Sequence, residues 1–280
     1  MFFHRDIKGD RLPRGTVCFT YDDGPGMTKG DGSGPNTLEL GRYLFEQQIA
    51  ATFFVLGSHA EKHRDVLAQL QEWGHLIGNH TYSHPGLVSL ALAGGDVVGE
   101  LKRTDEIIRP YVSSEVVCFR APYGNWREKI QPDSEEDKPT SLVADILNRS
   151  GQFPDYVGPF NWDIVGEDWA CWRQGISAQE CARRYLAETE RVGSGIILMH
   201  DSSEEEQGRL KNKSFLMTKL LTPLLKERGY RFVRLDAIVS PEDGVPVVAQ
   251  SFAGRSDERS GCVSEGKERL ISAKQGTDIE

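Results

Sequence analysis

Residues Thr16–Pro25 read TVCFTYDDGP: an apolar and β-branched run, an aromatic residue, two adjacent carboxylates and a Gly-Pro pair. An apolar run this short, bounded by turn residues, is the pattern of a buried strand, and Asp-Gly-Pro is ordinary turn chemistry. A turn alone does not account for two like charges set side by side where the strand ends. The same order of apolar run and polar terminus recurs along the chain. ATFFV (51–55), LIGN (76–79), VVCFR (116–120), YVGPFNW (156–162), GIILM (195–199) and YRFVRL (230–235) each read as short buried strands.

Helical periodicity fills the gaps between these runs. Val66, Leu67, Leu70 and Trp73 share one helical face that Gly74 ends, and Val97, Leu101, Thr104 and Ile108 repeat the spacing before Pro110. Ser177 and Glu180 form a capping box for a helix through Glu188, whereas Pro223 predicts a kink or two short helices in the last helical run. Strands separated by helices imply an α/β fold with about seven mostly parallel strands, and a sheet of that size closes into a barrel. There is no internal repeat. The chain has 280 residues, and α/β barrels reach roughly 200–250 residues as one domain. A single barrel over residues 1–247 therefore fits, with a polar C-terminal tail at 248–280 that is poor in large apolar groups. The acidic stretch REKIQPDSEEDKP near 127–139 is an insertion outside the core pattern.

Composition excludes several classes of function. With 42 acidic against 33 basic residues, the formal charge of −9 leaves no broad cationic surface for nucleic acid or anionic lipid. No run approaches the roughly 20 apolar residues of a membrane span, and the opening MFFHRDIKGDRLPRG is too charged for a signal peptide. Cys18, Cys118, Cys171, Cys181 and Cys262 lack the paired short spacing of a thiolate metal site, so buried reduced thiols and a cytoplasmic location are expected.

The polar residues collect at strand ends, where parallel α/β folds carry their functional groups. Asp22 and Asp23 end the first run, and His80 and His84 in NHTYSH follow LIG. Two imidazoles four residues apart converge on one ion if the loop coils like a helical turn. With one aspartate they make a two-histidine, one-carboxylate set that leaves positions open for water and substrate. RAPYG (120–124), Asp168-Trp169 and ILMH (197–200) occupy equivalent strand ends.

Taken in order, TYDDGP, HTYSH, RAPYG, DW and ILMH resemble the five motifs of the NodB-type polysaccharide deacetylases, carbohydrate esterase family 4, from about Thr16 to Ile238. The resemblance implies a distorted (β/α) barrel and a metal-dependent hydrolase that removes acetyl groups from N-acetylated, or O-acetylated, sugars and polysaccharides. It implies Asp23, His80 and His84 as ligands of one divalent metal and Asp22 as general base, held by Arg120. It further implies an oxyanion donor at the backbone N–H of Tyr123, a general acid at His200 oriented by Asp168, and an acetyl pocket at Trp169 and Leu198. Tyr21 stands where Phe is usual, Ala121 where Pro is usual and Val165 where an acid is common, which makes Asp168 rather than Asp163 the expected partner of His200.

Zinc is the default metal, although the same donors accept cobalt, nickel or manganese. A carboxylate-pair glycosidase could use Asp22 and Asp168 but does not require the histidine pair. A noncatalytic carbohydrate-binding module could retain aromatics such as Trp126 and Trp169 but does not require base, acid and ligands together. Release of reducing ends without acetate would mark the first alternative, and sugar binding without turnover the second.

Overall fold

Every strand pairing in the computed structural model is parallel, and the model describes residues 2–26, 36–127, 141–203 and 211–239. The rest of the 127–139 insertion beyond Arg127, the 248–280 tail and Cys262 lie outside these residues. The described strands are β1 (Phe2–Ile7), β2 (Thr16–Asp22), β3 (Thr52–Val55), β4 (Leu76–Asn79), β5 (Val117–Cys118), β6 (Tyr156–Phe160), β7 (Ile164–Val165), β8 (Gly195–His200) and β9 (Arg231–Phe232). The helices are α1 (Thr37–Glu46), α2 (Gly57–Ala60), α3 (Arg64–Glu72), α4 (Leu87–Leu92), α5 (Val97–Ile108), α6 (Leu142–Ser150), α7 (Asp168–Arg173), α8 (Ala178–Val192) and α9 (Ser214–Glu227).

One sheet runs β4-β3-β2-β8-β7, with β9 beside β2, and the other runs β1-β6-β5. A single bridge between Asn79 and Phe119 links β4 to β5. On the opposite side, the Asp163 carboxylate accepts from the Gly9 and Ile196 amides, each at 2.8 Å, and so joins the turn after β1 to β8. The result is a distorted parallel barrel.

Strand alternation sorts the side chains into two cores. Val17, Phe19 and Tyr21 of β2 face the helices in the larger core, while Cys18 enters a smaller one with Phe54, Leu76, Cys118, Val157 and Ile196. Continuing by twos along that inner face gives Thr20 and Asp22 on β2, Leu198 and His200 on β8, Gly78 and His80 from β4, and Arg120 after β5. The chemistry-bearing residues are thus the upper layer of the inner face. Gly78 has no room for a side chain, because a Cβ there would lie 2.7 Å from the Phe54 ring and 2.9 Å from the Cys118 carbonyl.

Two strands escape a reading by hydrophobic runs. In β1 the buried apolar residues Phe2 and Ile7 have charged residues between them, and β7 has two residues. The helix expectation at Pro223 is also corrected: α9 runs unbroken through it. Proline forfeits one backbone hydrogen bond there, but Met217, Thr218, Leu221 and Leu225 keep a continuous buried face that outweighs the loss. Ser177 caps α8 by accepting from the Glu180 amide. Cys18, Cys118, Cys171 and Cys181 are buried and form no disulfide. Among the described residues no helix is long and apolar enough to cross a membrane.

Candidate functional site

On a regular strand Asp22 and Asp23 would point to opposite faces. The backbone turns left-handed at Asp23, φ 73°, a region Asp tolerates better than most residues. Both carboxylates therefore reach the same imidazole, with His80 Nε2 lying 3.7 Å from Asp22 Oδ2 and 3.5 Å from Asp23 Oδ1. The His59 ring holds the turn by donating from Nδ1 to the Asp23 carbonyl at 2.7 Å.

His84 Nε2 lies 3.4 Å from Asp23 Oδ1, and one ligand atom from each of Asp23, His80 and His84 falls within 4.8 Å of the others. The loop does not coil as a helical turn. It bends through left-handed residues at Thr81 (φ 72°) and His84 (φ 61°), which bring the two rings to 5.1 Å. Side chains hold this irregular path. Asn79 Oδ1 accepts from the Thr81 amide at 2.8 Å, and the Glu100 carboxylate on α5 accepts from the Tyr82 and Ser83 amides at 3.0 and 2.8 Å and from the Ser83 hydroxyl at 2.8 Å.

His80 donates from Nδ1 to the Arg120 carbonyl at 2.9 Å, which leaves the Nε2 lone pair facing the carboxylates. Burial lowers its pKa to about 3, outweighing the attraction of Asp22, so the ring is neutral, as a metal ligand must be. Two nitrogens and one carboxylate oxygen at this separation suit a divalent cation of the zinc type.

Around this cluster sit Arg120, His200, Asp168 and Tyr123. Arg120, fully buried, donates to Asp22 Oδ1 at 2.7 Å and to the Thr20 hydroxyl at 2.9 Å, and its guanidinium carbon lies 4.2 Å from the Phe54 ring centroid. Register places Asp22 directly opposite His200 on β8. Asp168, at the start of α7, accepts from His200 Nδ1 at 2.9 Å and from the His200 amide at 2.8 Å. Burial alone would lower the His200 pKa, but the adjacent Asp168 charge and hydrogen bond dominate and raise it to about 10. Asp163, which serves the barrel seam, is not its partner.

Tyr123 has φ 59° in the turn after Arg120, and its ring meets the His84 ring edge-on at 4.5 Å. Leu198 is buried two residues before His200. Trp169 is exposed beside Asp168, with the Arg173 guanidinium 5.5 Å from its centroid. These two residues join the site by chain position. Trp126 offers no sugar platform, since it is buried and donates to Asp6 at 2.6 Å.

Sequence reasoning missed four supporting residues: His59, Glu100, Thr37 and Asp201. Asp201 alone carries a signal, as a further acid directly after the strand-end histidine. It is buried, and burial together with nearby Asp23 raises its carboxyl to about 7 despite a hydrogen bond from Thr37.

Residues 9–138 match the family model described as polysaccharide deacetylase. A chitooligosaccharide deacetylase from Rhizobium leguminosarum bv. trifolii is 29% identical over 221 residues, covering 76% of this chain and 87% of the relative. A peptidoglycan-N-acetylglucosamine deacetylase from Bacillus cereus is 28% identical over 222 residues, covering 79% and 67%. The crystal structure of the Bc1960 peptidoglycan N-acetylglucosamine deacetylase superposes with a TM-score of 0.63 at 24% identity, covering 84% of this chain and 92% of that one, and so shares the fold.

Proposed function

We propose that this chain, a member of the NodB-type polysaccharide deacetylase family, is a metal-dependent hydrolase that removes the acetyl group from N-acetylglucosamine units of an oligo- or polysaccharide. The observation that carries the reading is the convergence of Asp23, His80 and His84 between Asp22, held by Arg120, and His200, held by Asp168. The substrate class is supported by relatives named for chitooligosaccharide and peptidoglycan deacetylation.

Asp23, His80 and His84 would hold the ion. Bound there, a divalent metal supplies a Lewis acid for the acetyl carbonyl and lowers the pKa of an attacking water. Asp22 takes the proton from that water, and the buried Arg120 fixes the carboxylate oxygen it bonds, leaving the other oxygen for the transfer. The Tyr123 backbone N–H donates to the acetyl oxygen as it gains charge. His200, held protonated by Asp168, then gives its proton to the departing sugar amine. Leu198 and Trp169 enclose the acetyl methyl and exclude water from it.

Zinc is the metal proposed. Incubation of the zinc-loaded protein with chitin oligosaccharides and with peptidoglycan fragments, followed by mass spectrometry, tests the reading. Loss of acetyl groups from chains of unchanged length supports it. Shortened chains with every acetyl retained would replace it with a glycosidase, and bound but unaltered sugar with a binding module.

A further inference from the structure

Asp201 is a third carboxylate beside Asp22 and Asp23, is 2% exposed, and has no role in the chemistry above. Its Oδ1 has no hydrogen-bond partner among the described residues, whereas Oδ2 accepts a hydrogen bond from the Thr37 hydroxyl. Burying an incompletely bonded acid beside two others is costly. Side-chain packing alone would be served better by an apolar residue.

The contacts of Asp201 lead to the segment that carries Asp23. The Thr37 hydroxyl that donates to Asp201 also accepts from the Gly26 amide at 2.8 Å, and the Thr37 amide donates to the Gly26 carbonyl at 3.0 Å. The Asp201 amide donates to the Asp22 carbonyl at 3.2 Å. Its carboxylate packs against Gly24, where a Cβ would fall 2.1 Å from Oδ2 and displace it. Asp201 and Thr37 thus grip the chain on both sides of Asp23, at Asp22, Gly24 and Gly26. Thr37 is also the first residue of α1.

We propose that Asp201 and Thr37 are positioning residues that hold Asp23 in ligand geometry, a claim that rests on the metal-site reading above. The left-handed backbone at Asp23 explains why a clamp is needed: unsupported, such a residue relaxes to an extended conformation and its carboxylate turns away from the histidines. The clamp contributes no donor to the ion and no proton to the reaction. It acts only through Asp23.

The test is the zinc dissociation constant, measured by competition with a chromogenic chelator, for wild type, Thr37→Val, Thr37→Ser and Asp201→Asn. Thermal unfolding of each metal-free protein is recorded alongside. Thr37→Val keeps the shape and removes the hydroxyl, so zinc affinity is expected to fall by roughly 10- to 100-fold, the usual effect of losing a residue that orients a ligand. Thr37→Ser restores the hydroxyl and is expected to restore affinity. Asp201→Asn keeps the size while weakening the acceptor, and is expected to fall between them. Zinc binding by wild type with equal affinity in Thr37→Val and Asp201→Asn would overturn the clamp and leave the metal site standing. A loss that Thr37→Ser shares with Thr37→Val would also overturn it, because the hydroxyl would not be the cause. Failure of wild type to bind zinc would overturn both the clamp and the reading beneath it.

Discussion

Asp22 and Asp23 are the same residue type, and their environments differ because one backbone angle turns between them. Asp22 stays on the strand and is tied to Arg120, while Asp23 turns left-handed towards both histidines. Asp23→Ala is therefore expected to lose metal, with activity partly recovered by excess metal. Asp22→Asn is expected to retain metal while turnover falls by roughly 10²- to 10⁴-fold, the range general-base catalysis supplies. Metal content and acetate release of the two variants check the assignment, and the reverse pattern would exchange the roles. The pair of His200 and Asp168 gives a pH prediction. A general acid works only while protonated, and Asp168 keeps His200 protonated up to about 10. Asp168→Asn is expected to lower the rate and bring the alkaline limb of the pH profile down towards the ordinary histidine value, roughly 6.5. The same raised pKa stabilises the fold fully below about 6.5 and loses that contribution as pH rises through about 10. The donors were legible in sequence because each sits beside a strand end. His59 and Thr37 were not, because their contacts join residues far apart in the chain.

At the scale of elements, the inner faces of β2, β4 and β8 carry apolar or small residues below and reactive ones above, and a period of two in the sequence reveals it. Thr20 and Asp22 follow Cys18 at that spacing, and Leu198 and His200 follow Ile196. Edge strands give a weaker signal. β1 sets charge between the buried Phe2 and Ile7, and β7 has too few residues to show alternation. The histidine loop is different again, since its shape comes from α5, a separate element. Glu100 holds two amides between His80 and His84, so Glu100→Ala is expected to weaken zinc binding by about tenfold, the lower end for an orienting residue. Glu100→Gln, which keeps one acceptor oxygen, is expected to lose less. Calorimetric titration of the metal-free variants checks this, and unchanged binding in Glu100→Ala would show that the loop holds its shape alone.

The whole barrel brings Asp22, Asp23, His80, His84 and Arg120 together with His200 in register opposite Asp22, and among the described residues its closure relies on a side chain where no strand ladder spans the seam. Asp163 bonds the Gly9 and Ile196 amides across that seam. Asp163→Ala leaves both donors without an acceptor and is expected to lower stability by about 2 kcal/mol, read by denaturant unfolding, with zinc affinity unchanged. A loss of zinc affinity in that variant would mean that the seam and the site are coupled. The sequence showed parallel architecture through alternating runs, but it could not show how the barrel closes, because the closing bonds are single and long-range. The central claim is that metal bound by Asp23, His80 and His84 is required for deacetylation. Its most direct test is the initial rate of acetate release from a chitin oligosaccharide, measured as zinc is added back to fully stripped protein. The predicted result is no release at the start and a rate that rises in proportion to bound zinc, levelling off at one ion per chain. Full activity in the stripped protein, or a rate indifferent to bound metal, would contradict the account.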